Sequence, residues 1–337
     1  MKTLVTGATG FLGSHIAEQL IAHGDEVRAL VRPSSDTSFL REIGAELVAG
    51  DITQPESLLP AVEGVEAVYH AAALVSDWAP WADFHRTTID GTRNVLRAAV
   101  RADVPRFLHV STDGVYALSC LHKRVTEDSP LEQRFGPLDY YRRSKLAAEK
   151  IVRRRLNKSG IGVTIVRPAL LLGERDAAML PGVIAFMKNR SASYLGKGHN
   201  RLPYVYAGDV ASACILAATS PQATGQTYNV VSDERVTQRD LFQAIEEATG
   251  VRAPTRSVPY RAAYTVAAAM EAWWLLRGRR TRPDTTRFGV SLLGLEYRED
   301  ASKLRNELGW QPTAPLHEAI RRSVDWSRRR SAQPVGS

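Results

Sequence analysis

Hydrophobic residues in the first half of the chain fall into short runs separated by longer amphipathic segments. The runs predict six β-strands, at 2–7, 26–32, 45–51, 66–73, 106–112 and 162–168. The segments between them predict helices, among them 11–23, 84–102 and 138–157. Strands that alternate with helices are typical of a parallel sheet with helices on both faces. We therefore expect an α/β fold with a doubly wound parallel sheet.

The second half of the chain alternates less regularly. Its pattern predicts a strand running into a helix at 203–219, a strand at 227–232, and helices at 237–249, 260–277 and 315–329. We expect a nucleotide-binding domain at 1–175 and a smaller, mostly helical substrate-binding region at 176–330. Segment 203–232 is expected to return to the first domain, and 331–337 to form a disordered tail.

Three glycines follow the first predicted strand and open the first predicted helix. Gly7, Gly10 and Gly13 have the spacing G-x-x-G-x-x-G. Glycines allow a tight turn and a close approach of the backbone to a pyrophosphate, and the helix N-terminus adds free N–H groups. The context predicts a Rossmann-type dinucleotide site rather than a plain turn.

A second pattern is the spacing of Tyr141 and Lys145, which puts both side chains on one face of the predicted helix. Tyr140 points about 100° away from Tyr141. A tyrosine ionises near pH ~10, and a nearby ammonium group lowers that pKa. The pair therefore fits proton transfer, although the spacing alone also describes an ordinary amphipathic helix.

The composition is that of an ordinary globular protein: 337 residues, 44% hydrophobic and 24% charged. The net charge of +8 arises from 44 Lys and Arg against 36 Asp and Glu. Two distant cysteines give neither a metal motif nor a disulfide framework, and the histidines have no metal spacing. No signal peptide or membrane span is predicted, so we expect a cytoplasmic location.

The glycine spacing, combined with the downstream Y-x-x-x-K, resembles the extended branch of the short-chain dehydrogenase/reductase superfamily, most of all its 3β-hydroxysteroid dehydrogenase type. The resemblance covers nearly the whole chain and includes segments 50–52, 70–73, 110–116 (VSTDGVY), 167–173 and 204–211. One departure is Thr88, which stands where the family usually has an Asn that supports the active-site helix and its water.

The resemblance implies a role for each matching residue. Tyr141 is the acid/base, Lys145 also binds the nicotinamide ribose, and Thr112, with Ser111 as the alternative, orients the substrate oxygen. The implied cofactor-binding residues are Gly7, Gly10, Phe11, Leu12, Gly13, Arg32, Asp51, Ile52, Ala71, Ala72, Ala73, Tyr141, Lys145 and Pro168. The expected substrate wall consists of Trp78, Trp81, Tyr140, Leu172 and Tyr204, with core packing as the alternative for the two tryptophans.

Three functions are compatible with these residues. The first is an oxidoreductase that interconverts a secondary alcohol and a ketone on a hydrophobic, sterol-like or long-chain keto substrate. The second is a nucleotide-sugar epimerase, dehydratase or reductase, for which Lys188, Arg190, Lys197 and Arg201 offer charge for a diphosphate. The third is a dinucleotide-binding regulator without catalysis, which the Tyr–Lys pair disfavours. We expect a small hydrophobic substrate, no nucleic-acid partner and a homodimer.

Arg32 bears on the choice of cofactor. NAD-specific proteins of this fold place an acidic residue at the end of the second strand to bind the ribose 2′-hydroxyl. Here that strand ends in Val31 and Arg32, and Arg32 is suited to a 2′-phosphate. We therefore expect NADP(H) to be preferred, with NAD(H) also accepted.

The apolar run 262–280 is interrupted by Glu271 and is too short to span a bilayer. One interpretation is a helix buried in the core. The other is a peripheral membrane contact through 262–282, with Trp273, Trp274, Leu275 and Leu276 in the lipid and Arg277, Arg279, Arg280 and Arg282 at anionic headgroups.

Overall fold

The computed structural model describes residues 1–155 and 160–332. Its strands are β1 (Lys2–Thr6), β2 (Glu26–Val31), β3 (Glu46–Ala49), β4 (Ala67–His70), β5 (Arg106–Val110), β6 (Gly162–Pro168), β7 (Leu170–Leu172), β8 (Tyr194–Leu195), β9 (Arg201–Leu202), β10 (Tyr204–Tyr206), β11 (Thr227–Val230), β12 (Val236–Thr237) and β13 (Ser257–Val258). Its α-helices are α1 (Phe11–Ala22), α2 (Ser38–Glu42), α3 (Leu59–Val62), α4 (Trp81–Phe84), α5 (Gly91–Arg101), α6 (Tyr140–Arg153), α7 (Met179–Lys188), α8 (Ala207–Thr219), α9 (Gln238–Thr249), α10 (Tyr260–Leu276), α11 (Arg287–Gly294), α12 (Ser302–Leu308) and α13 (Leu316–Ala332).

The central sheet has seven parallel strands in the order β3–β2–β1–β4–β5–β6–β11. The chain winds outward from β1 in one direction and from β4 in the other, with Thr3 opposite Val27 on β2 and Ala67 on β4. In such sheets ligands bind at the carboxyl ends of the strands where the order reverses. The predicted α/β fold with a doubly wound Rossmann-type sheet is confirmed.

Helices cover both faces of the sheet. On one face α1 packs against α8, with Ile16 and Leu20 of α1 and Ala217 of α8 in a shared core. Small side chains such as alanine allow the two helices to approach closely. On the other face α3, α5 and α6 bury apolar residues that include Val62 and Val95. This packing places the N-terminal ends of the helices at the carboxyl edge of the sheet.

The segment after β6 forms a third hydrophobic core, in addition to the two that cover the faces of the sheet. It joins α7, α9 and α13 around aromatic and aliphatic side chains such as Tyr194, Phe242 and Ile320. The chain then returns to the first layer, because β11 pairs with β6 and α8 packs on α1. Strand β10 instead pairs with β7 in a separate two-stranded ribbon.

Two predicted boundaries change in the structure. The continuous helix expected at 84–102 is divided into α4, a π-helical turn at His85–Asp90 and α5. The last helix continues to Ala332, two residues into the predicted tail. Residues 333–337 of that tail, and the end of the helix predicted at 138–157, lie outside the described residues.

Within 1–155 and 160–332 no helix has the length and apolarity that crossing a membrane requires. In the same ranges no three His, Cys, Asp or Glu side chains come together as a metal site.

Candidate active site

A cleft of about 2340 Å³ runs along the carboxyl edge of the sheet, from the glycine turn to the segment after α10. Every residue predicted to bind the cofactor lines this cleft, from Gly7 to Pro168, as do Ser111 and Thr112. The cleft exceeds the size of an ordinary small-molecule pocket, which is about 300–1,000 Å³. It therefore has room for a dinucleotide and a second molecule.

The glycine turn leaves a concave space, the glycine cradle, which side chains at the glycine positions would occupy. Gly7 has φ +74°, and a Cβ on it would lie 2.8 Å from the backbone nitrogen of Ala72. A Cβ on Gly13 would lie 2.1 Å from the carbonyl oxygen of Gly7. Gly10 precedes α1 and provides no side-chain cap, so the first N–H groups of the helix stay open to a ligand. This arrangement fits the pyrophosphate of a dinucleotide.

The end of the cleft that is expected to receive the adenosine lies beyond β2 and β3. Asp51 accepts hydrogen bonds from the backbone N–H of Thr53, at 2.8 Å, and from its hydroxyl, at 2.9 Å. Ile52 is buried against Gly91, where a Cβ would come within 2.7 Å of it. Arg32 is exposed and lies at the cleft wall after β2. Ala71, Ala72 and Ala73 follow β4 and line the cleft beside the glycine turn.

Tyr141 and Thr112 are brought together at the other end of the cleft. Tyr141 on α6 and Thr112 after β5 both line this part of the cleft. Burial raises the pKa of Tyr141 to about 12, and the neighbouring Thr112 side chain opposes the increase. The hydroxyl therefore stays protonated at neutral pH and can donate a proton to a substrate oxygen.

Lys145 lies one turn after Tyr141 and is buried, with 4% of its surface exposed. Its Nζ donates to the carbonyl oxygen of Val110 at 2.6 Å, and burial lowers its pKa to about 8. The expected lowering of the Tyr141 pKa by Lys145 is not found, because desolvation of the phenol dominates. Lys145 nevertheless lines the cleft, where its ammonium group can reach a ribose.

Ser111 has a different environment from Thr112. Its hydroxyl donates to Glu149 at 2.6 Å, and Glu149 pairs with Arg167 at 2.6 Å with both side chains fully buried. The nearby guanidinium helps to hold the pKa of Glu149 below its usual value against desolvation. Ser111 thus belongs to a buried structural network, and Thr112 is the hydroxyl placed against Tyr141.

The structure does not bring the predicted substrate wall into the cleft. Leu172 and Tyr204 belong to the third core, because β7 and β10 turn these side chains inward. Trp81 packs against Tyr140 with the rings tilted and their centroids 5.6 Å apart, and it lies under the guanidinium of Arg143. These two aromatic residues, like Trp78, are absent from the cleft lining.

Other apolar residues line the cleft. Phe288 contacts the Tyr141 ring edge-to-face at 6.0 Å. The apolar lining also includes Val183, Phe186, Val258, Val266 and Leu292, from α7, β13 and the helices that follow β13. Sequence reasoning missed these residues. Their amphipathic helices could be recognised, but the face that borders the cleft could not.

Two ion pairs fasten the segment after α10 across the cleft. Arg282 binds Asp77 through both guanidinium arms at 2.6 Å, and Thr286 donates to the same carboxylate at 2.7 Å. Arg287 pairs with Glu271 at 2.5 Å. Segment 282–287 thus forms a cover over this end of the cleft. Glu271 interrupts the apolar run of α10 because its carboxylate anchors this cover.

Comparison with known proteins identifies the family. Residues 3–231 match the model of the NAD-dependent epimerase/dehydratase family. The chain belongs to this family. Its members bind a nicotinamide dinucleotide, which the glycine cradle and the open start of α1 fit. The predicted family is confirmed.

Two relatives and one solved structure resemble the whole chain. The 4-hydroxy-2-methyl-3-oxo-4-farnesyl-3,4-dihydroquinoline-1-oxide ketoreductase of Stigmatella aurantiaca is 32% identical over 310 residues, 92% of this chain and 92% of that protein. Sterol demethylase protein B of Methylococcus capsulatus is 31% identical and covers 98% of this chain and 99% of its own. The crystal structure of gox2253 has 30% identity and a TM-score of 0.80, covering 98% and 99% of the two chains.

These findings confirm the predicted enzyme class, an oxidoreductase. They leave no support for the non-catalytic regulator that the sequence alone allowed.

Proposed function

We propose that this oxidoreductase interconverts a secondary alcohol and a ketone on a hydrophobic substrate, with Tyr141 as the acid/base. The observation that carries this proposal is that Tyr141, Thr112 and Lys145 line one cleft together with Phe288, which contacts the Tyr141 ring. Substrate names among the relatives support it, because a farnesylated quinoline and a sterol are both large and apolar.

Each side chain has one task in this mechanism. When bound, the dinucleotide carries the hydride to or from the substrate carbon. The Tyr141 hydroxyl gives its proton to the oxygen of a ketone, and the Thr112 hydroxyl orients that oxygen. Lys145, desolvated one helical turn after Tyr141, would hold the ribose. The cover fastened by Arg282 keeps water from this end of the cleft.

A nucleotide-sugar substrate has less support. Its diphosphate would need free positive charge, and none of Lys188, Arg190, Lys197 and Arg201 lines the cleft. Among the cleft residues near Tyr141, Arg282 and Arg287 are already paired with carboxylates. We therefore favour an apolar ketone or alcohol over a UDP- or dTDP-sugar.

A substrate panel read by NAD(P)H absorbance tests the proposal. We expect turnover with a sterol ketone or a long-chain keto compound and no saturable binding of UDP- or dTDP-sugars. Turnover of a nucleotide sugar without turnover of any apolar ketone would contradict the proposed substrate class.

We further propose that NADP(H) is preferred over NAD(H). Arg32 follows β2 in the cleft lining, and Arg330 of α13, which also lines the cleft, pairs with Asp36 at 3.7 Å. A 2′-phosphate there gains charge-assisted hydrogen bonds worth about 1.5–3 kcal/mol each. Arg32→Asp should therefore lower kcat/KM with NADPH at least about tenfold. The measurement is kcat/KM for both cofactors in both proteins.

Arg101→Asp is the matched control for that experiment, since Arg101 is exposed at the end of α5 and lies away from the cleft. It should leave the ratio of the two kcat/KM values unchanged. A wild-type kcat/KM for NAD(H) equal to or above that for NADP(H) would disprove the preference.

Segment 262–282 supports a further proposal, a peripheral contact with an anionic membrane. In α10 only Ala267 and Glu271 are buried, whereas Trp273 is 47%, Leu275 55% and Leu276 84% exposed. The guanidinium of Arg277 lies 4.1 Å over the Trp273 ring. Apolar side chains next to arginines match the boundary between acyl chains and anionic headgroups. Trp274, expected at the lipid, is instead half-buried.

Vesicle sedimentation measures this contact. We expect binding to anionic liposomes at low salt, weaker binding at high salt, and loss of binding in Trp273→Ser/Leu276→Ser. Leu59→Ser/Leu118→Ser, which removes two exposed leucines elsewhere, should bind as the wild type does. Binding that is absent at low salt, or equal in both double variants, would leave no role for this segment at a membrane.

The predicted homodimer and cytoplasmic location stay predictions. Light scattering on the purified protein checks the first, and cell fractionation checks the second.

A further inference from the structure

Phe288, the residue that follows the cover, lies directly against Tyr141. The two rings meet edge-to-face, with their centroids 6.0 Å apart and their planes at 82°. At this distance aromatic rings are in van der Waals contact, so no substrate group fits between them. Both residues line the cleft, and Phe288 is half-buried. Phe288 is therefore one wall of the space next to the Tyr141 ring.

Arg287 fixes Phe288 relative to the helix that carries Tyr141. Its backbone N–H and its Nε donate to the two carboxylate oxygens of Glu271, at 2.8 and 2.5 Å. Its Nη2 donates to the carbonyl oxygen of Pro137 at 3.0 Å. Pro137 lies just before the start of α6, and Arg287 is the residue before Phe288. These bonds connect the two aromatic residues through short stretches of backbone, so their contact is set by the fold.

Thr286 fixes the start of α11, the helix in which Phe288 is the second residue. Thr286 is 1% exposed, and its hydroxyl accepts from the Gly289 N–H at 3.1 Å and donates to Asp77 at 2.7 Å. The Asp77 side chain is 10% exposed, and it also binds the guanidinium of Arg282. A side chain that caps a helix start and is itself held at a buried carboxylate leaves Phe288 little freedom to turn away.

The loop after β4, which carries Asp77, is anchored as well. The N–H of Leu74 in this loop donates to the hydroxyl of Thr88 in the π-helical turn at 3.1 Å. Thr88, which stands where the family usually has an Asn, thus supports the loop to which the cover is fastened. Phe288 is held through contacts with this loop, with α10 and with the start of α6.

The fixed ring contrasts with the size of the cleft. The cleft measures about 2340 Å³ and has room for a long apolar chain or a fused-ring body. A ketone whose oxygen meets the Tyr141 hydroxyl carries two groups on its carbonyl carbon. The group on the side of Phe288 meets a close-packed wall that cannot move aside without breaking the contacts above. The other group can extend along the cleft.

We propose that Phe288 determines substrate specificity by restricting the carbonyl substituent beside it to a methyl or an unbranched methylene group. This inference rests on the proposed function and narrows it to apolar ketones and secondary alcohols with one narrow and one large substituent. Glu271 and Arg287 are positioning residues, because they act on the substrate through Phe288.

The decisive variant is Phe288→Ala, tested with a long-chain methyl ketone and a phenyl ketone of the same chain length. Wild type should have the higher kcat/KM with the methyl ketone. The variant should increase the ratio of phenyl to methyl kcat/KM about 10- to 100-fold, because it opens space for the phenyl group and loses contact with the methyl group. Phe288→Leu, which keeps an apolar side chain of intermediate size, should increase the ratio less.

Phe186→Ala is the matched control, since Phe186 is a cleft phenylalanine that belongs to α7. It should change kcat/KM for the two ketones alike and leave their ratio at the wild-type value.

Glu271→Gln tests the positioning residues. It keeps the size of the side chain and removes the charge that holds Arg287. We expect it to increase the ratio of phenyl to methyl kcat/KM in the same direction as Phe288→Ala, but to add nothing in Phe288→Ala/Glu271→Gln. A residue with a merely structural role would change the ratio by the same factor in both backgrounds.

Binding provides a readout without turnover. Tyr141→Phe keeps the ring and its contact with Phe288. In this background, loaded with NADPH, adding Phe288→Ala should lower the Kd of the phenyl ketone about tenfold and raise that of the methyl ketone. Titration calorimetry measures both values.

Two results would overturn the role of Phe288. One is a ratio, by kcat/KM and by Kd, that Phe288→Ala leaves unchanged, and the other is an equal change in Phe186→Ala. Failure of the proposed function is distinguishable, since it would appear as full activity in Tyr141→Phe or as reduction of neither ketone by wild type. The Kd values still decide the role of Phe288 in that case.

Discussion

Replacing Tyr141 with Phe lowers kcat about 100- to 10,000-fold and leaves dinucleotide affinity near that of wild type. This is the expected result, because only the phenol hydroxyl is removed and proton transfer contributes a rate factor of that order. The ring still packs against Phe288, and the glycine turn still holds the pyrophosphate. Single-turnover kinetics and fluorescence titration with NADPH provide the two measurements.

Lys145→Met supplies the contrast for that experiment. Because Lys145 lines the cleft and neighbours Tyr141 on α6, its loss should reduce both dinucleotide affinity and kcat. If Tyr141→Phe retains more than a small fraction of the wild-type rate, Tyr141 is not the acid/base.

Gly13→Ala should damage both cofactor binding and stability. A methyl group there would lie 2.1 Å from the Gly7 carbonyl oxygen and 2.6 Å from the Gly7 carbonyl carbon, so the turn and α1 must move apart. Overpacking of this kind costs about 1–3 kcal/mol of unfolding free energy. Displacing the open N–H groups of α1 should also raise the Kd for the dinucleotide about tenfold or more.

Gly182→Ala is the matched control, since Gly182 is also helical and a Cβ there would meet nothing within 4 Å. It should leave the Kd unchanged and, if anything, raise the unfolding free energy. Equal Kd values for Gly13→Ala and wild type, measured by titration calorimetry, would show that the close approach of Gly13 to Gly7 is not needed for binding.

The sequence predicted the features that depend on local pattern. Apolar runs gave the strands of the sheet, since each run is short and bounded by turns. The spacing of Gly7 to Gly13 predicted the cradle, and the spacing of Tyr141 and Lys145 put both residues on one helix face. Local periodicity and turn chemistry decide these features, and both are written in consecutive residues.

The tertiary structure decided what lies next to what. Leu172 and Tyr204 were expected at the substrate and lie in a core, whereas Phe288, far from Tyr141 in the chain, contacts its ring. Lys145 was expected to lower the Tyr141 pKa, but burial sets that pKa near 12. Burial and contacts between distant segments arise only when the chain packs, so pKa values and cleft walls could not be predicted from spacing alone.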